Sequence, residues 1–117
     1  MVAAVGKTFY LRFKMINDSI LGILVNSDKY FDFVYMLTEA ACAKGRTVNI
    51  HLHETGLGLI FFAGFGRLSQ MAKITICDVG PEKLAAELNG RIPESVTIVS
   101  ARNLAAMFKS WARYVVF

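Results

Sequence analysis

Cysteine is scarce in this chain: Cys42 and Cys77 are the only two among 117 residues. Two thiols are too few for a disulfide framework, so reduced thiols are the expected state. Long hydrophobic runs are missing as well. The longest candidate, residues 57–65, contains Gly58 and Gly64 and stops near Arg67. It is about half the ~20 apolar residues that a membrane-spanning helix needs, so no membrane role is expected. A signal-peptide pattern is also absent, because Lys7, Arg12 and Lys14 interrupt the N-terminus and no long apolar core follows. The expected location is the cytoplasm. The thirteen Lys and Arg residues are scattered and the net charge is only +4. No basic cluster with interleaved aromatics occurs, which argues against a nucleic-acid partner. The glycines of residues 56–66 lack the G-x-G-x-x-G spacing after a first strand and any Walker lysine, which removes the motif-based case for nucleotide binding. There is no internal repeat, low-complexity tract or linker.

Apolar residues, in contrast, are abundant. They make up 55% of the chain, and the mean hydropathy is +0.45 for only 13.0 kDa. The length argues for one domain. A lone domain of this size has too little interior for so much apolar surface, so self-association is expected.

Residues 8–15 alternate, with Phe9, Leu11, Phe13 and Met15 on one face. They read as a half-buried strand, within an N-terminal arm or edge strand over residues 1–18; a mobile leader is the alternative. The core domain is expected over residues 19–117. Residues 20–25 are a continuous apolar run of the kind found in parallel sheets. Asn26, Ser27 and Asp28 end it and offer cap side chains. Residues 30–44 read as a helix with Gly45 as its stop. Residues 47–52 are a second strand, with Asn49, His51 and His53 on one face. Residues 56–71 read as an apolar helix, or as a helix followed by a loop. Strands follow at 73–77, 96–99 and 114–117. Helices are expected over 81–88 and from a Ser100 or Asn103 cap through Trp111. This alternation points to a parallel sheet with helices on both faces.

Cys77 ends the third strand, and Asp78-Val79-Gly80-Pro81 reads as a turn into a helix. Ligands and chemistry collect at the carboxyl ends of strands in such sheets. A thiol there lies near backbone N–H groups and a helix N-terminus, which favour the thiolate, the form that attacks sulfur. The plain alternative is a small buried core residue. Cys42 lies mid-helix among alanines and reads as core.

From residue 21 onward the chain resembles the DsrE/DsrF/TusD sulfur-relay family, also called DsrE-like or YchN-like. The features are Ile23-Leu24-Val25-Asn26-Ser27-Asp28, the Ala40-Ala41-Cys42-Ala43-Lys44-Gly45 helix end, Val48-Asn49-Ile50-His51-Leu52, the strand ending in Cys77, Val96-Thr97-Ile98-Val99-Ser100, and the closing segment from Leu104 through Trp111 to Phe117. The resemblance implies a three-layer α/β/α sandwich with a mostly parallel five-stranded sheet. It implies homo- or hetero-oligomers (dimer, trimer or hexamer). It also implies sulfur carried as a persulfide on Cys77 between donor and acceptor proteins, a sulfurtransferase role with no metal or organic cofactor. One departure is Asp78, whose charge opposes the thiolate unless Lys73, Lys83 or the helix end offsets it.

Five residues are candidates for the pocket around Cys77: Asp78 beside it, and Ser27, Asp28, His51 and His53. Ser27 and Asp28 share the sheet edge with Cys77, as pocket wall or as helix caps. His51 and His53 have the spacing of two ligands on one metal; no third ligand is evident, with Glu54 and Asp78 the conceivable ones. They otherwise serve as polar residues at a strand end or interface, or tune the thiol. The competing functions are a non-catalytic oligomeric interaction module and a small-ligand binder of the same fold.

Overall fold

Five short apolar segments form the sheet of the computed structural model, which describes residues 20–78, 86, 88 and 90–117. The strands are β1 (Ile20–Val25), β2 (Thr47–Leu52), β3 (Lys73–Cys77), β4 (Val96–Val99) and β5 (Arg113–Val116). All pair in parallel, in the order β4-β3-β2-β1-β5. The chain is an α/β protein, as its alternating pattern predicts. The arm over residues 1–18 lies outside the described residues. So do 79–85, 87 and 89, which include most of the helix expected over 81–88.

The register sorts the side chains onto two faces. Ile23, Ile50, Ile74 and Val96 are direct neighbours across four strands. Leu21, Val25, Val48, Leu52 and Ile76 share their face, and all are buried. Burial of each such side chain contributes about 1.5–3 kcal/mol, so this face is the main core. Helix α1 (Phe31–Ala43) packs on it through Phe31, Val34, Thr38 and Ala41. Helix α2 (Phe65–Met71) lies on the same side, where the Cys42 thiol donates to the Met71 carbonyl (3.4 Å). Helix α3 (Ala101–Lys109) lies on the opposite face, with Phe108 against His51.

Chain direction accounts for this split. The steps β1→β2 and β2→β3 move one way along the sheet. The step β4→β5 returns past β3, β2 and β1 to the far edge. Right-handed crossovers in opposite directions place their helices on opposite faces. The first face therefore carries α1 and α2, whereas the second is covered, among the described helices, by α3 alone. None of the α3 residues is fully buried.

Helix α1 begins one residue later than expected and lacks the expected cap. Its N-cap is Tyr30, which makes no side-chain cap bond. Its end follows the glycine signal. Gly45 (φ 78°) bonds the Cys42 carbonyl, and the Arg46 N–H reaches the Ala41 carbonyl (3.0 Å). This is the paired closure that a left-handed C′ residue permits. Residues 56–71 form neither of the two expected arrangements. A 3-10 segment spans Glu54–Phe61, a turn follows, and α2 begins at Phe65. Helix α3 stops at Lys109, two residues before Trp111.

Candidate functional site

Cys77 sits at the carboxyl end of β3, as predicted, and is partly buried. The ladder continues past it, because the Asp78 N–H donates to the Val99 carbonyl (2.8 Å). The Cys77 thiol is 3.9 Å from the Asp78 carbonyl. Val99 is the strand partner of Cys77, and α3 starts two residues later. Ser100 caps that helix by accepting from the Asn103 N–H (3.2 Å). Cys77 and α3 lie on the same face of the sheet. The positive end of α3 therefore opens beside the thiol. The helix start expected at Gly80-Pro81 and Lys83 lie outside the described residues. Lys73 is at the other end of β3, roughly 13 Å away at ~3.3 Å per residue, too far to offset Asp78 directly.

Alternation along β3 puts Thr75 on the face of Cys77, and Thr75 pairs with His51 of β2. Cys77 is then one diagonal step from His51, about 8 Å between backbones given ~4.8 Å between strands. His51 is 1% exposed. Its Nδ1 and Thr75 Oγ1 share a hydrogen bond of 2.8 Å. Phe108 meets the imidazole edge-on, with centroids 5.8 Å apart, and Trp111 lies 4.8 Å beyond Phe108. Burial, helped by the nearby His53, lowers the His51 pKa from 6.5 to about 4, because an apolar site disfavours the charged form. His51 is thus a neutral interior residue. Its Nε2 and the Trp111 Nε1 are buried without hydrogen-bond partners among the described residues.

The clamp over His51 depends on one glycine. Trp111 lies against Gly22 of β1, in the space a Cβ would fill. Gly22 is therefore required by the close approach of an indole ring. Sequence reasoning did not identify Thr75, Phe108, Trp111 or Gly22 as parts of this cluster. The available signals were a glycine within an apolar strand and a threonine on the face of Cys77.

The other candidates share the sheet edge without converging. His53 follows β2, and its Nε2 is 3.3 Å from the Glu54 carboxylate. Ser27 accepts from the Lys29 N–H (3.2 Å), a local turn rather than a helix cap. Asp28 lies against Gly58 of the 3-10 segment. A shallow depression of about 400 Å³ is lined by Glu54, Thr55, Leu57, Gly58 and Phe61, and Cys77 takes no part in it. Cys42 belongs to the core face and Cys77 to the other, so the sheet separates the two thiols. Among the described residues, no three His, Cys, Asp or Glu side chains cluster as metal ligands. No helix among them is long and apolar enough to cross a membrane.

No protein-family model matches the chain, and no curated protein matches it.

Proposed function

We propose that this chain is a small cytoplasmic sulfur carrier of the DsrE-like type, with Cys77 as the sulfur-bearing residue. The observation that carries the reading is the position of Cys77: a partly buried thiol at the carboxyl end of a parallel strand. Beside it lies the start of α3. The Cys77 thiolate attacks the outer sulfur of a donor persulfide. A new S–S bond forms at Cys77, the donor S–S bond breaks, and the donor leaves as a thiolate. A thiolate of the acceptor protein then attacks the outer sulfur, and Cys77 leaves as its thiolate. Each exchange conserves electrons, so no oxidant or cofactor enters. The N–H groups of the first turn of α3 favour the anionic sulfur at each stage. His51, neutral and clamped against Thr75, supports the strand face rather than the proton transfer. The self-association expected from composition completes the reading. Tyr30, Phe33, Met36, Tyr114 and Val116 are among the large apolar side chains left exposed.

Incubation with a persulfide donor followed by intact-mass and peptide measurement tests the assignment. The wild type and Cys42→Ser gain one sulfur atom at residue 77, and Cys77→Ser gains none while keeping its fold. Sulfur on Cys42 instead, or an unmodified Cys77, contradicts the proposal. The second reading, a non-catalytic interaction module, is favoured by that same apolar surface. It predicts a folded oligomer whose Cys77 resists alkylation.

A further inference from the structure

We propose that β5 is the edge along which two copies of this chain join, antiparallel, about a two-fold axis through Val115. The inference refines the self-association proposed above and does not depend on the sulfur chemistry.

Among the described residues, β5 is the last strand of the sheet and pairs with β1 alone. Phe117 donates to the Leu24 carbonyl (2.9 Å) and accepts from the Asn26 N–H (2.7 Å). In a parallel ladder, alternate residues address opposite neighbours. Phe117 faces β1, so Tyr114 and Val116 turn their N–H and C=O groups outward. Their side chains are 70% and 50% exposed. The strand has no proline, no lysine and no bulge to block pairing, the devices that usually protect an edge.

One register satisfies the strand completely when it meets itself. Centring the pair on Val115 sets Tyr114 opposite Val116 of the second copy, and the reverse. These are the two outward-facing residues, so each pair exchanges both of its hydrogen bonds. The side-chain pairs also match. Tyr–Val is a favourable aromatic and β-branched pair, and it occurs twice on one face. On the other face Val115 meets Val115, and Arg113 meets Phe117 of the second copy. The Phe117 ring already lies near that of Tyr30, tilted against it with centroids 6.1 Å apart. The guanidinium of Arg113, the one charge on the strand, thus arrives at an aromatic pair, which attracts cations. Cation and aromatic cluster sit at opposite ends of one edge. That is the arrangement a two-fold axis makes self-complementary, and it identifies a second copy as the occupant rather than a foreign strand.

The flank supports the same edge. Phe33 of α1 (62% exposed) lies against Tyr30, with ring centroids 6.4 Å apart, and Tyr30 in turn meets Phe117. A groove of about 260 Å³ runs between α1 and the β1–β5 pair, with Leu21, Leu37 and Ala40 in its lining and Arg113 at its rim.

The test is the subunit number by light scattering, combined with cross-linking. Tyr114→Lys with Val116→Lys places like charges across the axis without touching the core. The double variant should have half the subunits of the wild type, with unchanged circular dichroism. In a Cys42→Ser, Cys77→Ser background, Val115→Cys should give a covalent dimer when diamide removes two electrons and two protons from the facing thiols. Thr97→Cys, on the opposite edge, should not. A monomeric wild type, an unchanged subunit number in the double variant, or cross-linking at residue 97 in place of 115 overturns the proposal. If the double variant fails to fold, the cysteine pair still decides. Persulfide loading of Cys77 in the double variant is read separately, so the two proposals fail independently.

Discussion

His51 is the residue whose environment decides most. Folding holds it neutral, with a pKa of about 4 against 6.5 when free. The unfolded chain therefore binds this proton more readily than the folded chain. The stability it contributes is fully present above pH 6.5 and is lost as pH falls through about 4. The full difference is on the order of 3 kcal/mol. Urea midpoints measured between pH 8 and pH 4 should fall across this window, and His51→Gln should flatten the fall. An equal slope in the variant would assign the effect to other groups. Gly22 gives a second test at this scale. Gly22→Ala forces a methyl group into the space held by Trp111, and overpacking costs typically about 1–3 kcal/mol. The loss should appear in thermal melting together with a changed Trp fluorescence, since Trp111 is the only tryptophan. Neither contact was visible in the sequence. Period-two alternation put His51 on a strand face, but it carried no register to bring Thr75 beside it. Gly22 likewise gave no indication of what lay over it. Cys77 was readable because its place depended only on local pattern: an apolar run that ends at a turn.

The elements differ in how much of their end chemistry was local. The stop of α1 was readable, because Gly45 needs only its own left-handed backbone and the two carbonyls before it. Its start was not. Ser27 and Asp28 are good caps by type, but the chain uses Ser27 in a turn to Lys29 and places Asp28 against the 3-10 segment. The Gly-rich stretch was ambiguous for a related reason: its glycines weaken any propensity, and tertiary packing chose the 3-10 form. Helix α3 uses the first of its two expected caps, Ser100 rather than Asn103. Ser100→Ala should cost about 1 kcal/mol of stability, seen as a lowered melting temperature. Because the start of α3 opens beside Cys77, the same change should slow alkylation of that thiol in the folded protein. An unchanged alkylation rate would separate α3 from the thiol chemistry.

For the whole molecule, the five-stranded parallel sheet follows from the order of apolar runs, and the sheet distributes the functions. Cys77 lies on β3, and the proposed two-fold edge lies on β5, three strands away, roughly 14 Å at ~4.8 Å per strand. A dimer formed there leaves the thiol open to donor and acceptor proteins. Among the described helices, α1 and α2 lie on one face and α3 on the other, a split that follows from a single reversal of chain direction between β4 and β5. That reversal also brings the start of α3 to the side of Cys77. The central claim is that Cys77 takes up sulfur and gives it back, and a single-turnover transfer tests it most directly. The protein is loaded from a persulfide donor, freed of excess donor, mixed with a small acceptor thiol, and mapped by peptide mass before and after. The account predicts a sulfur atom on Cys77 that disappears as the acceptor gains it. An empty Cys77 after loading, or a sulfur that the acceptor cannot remove, would contradict it.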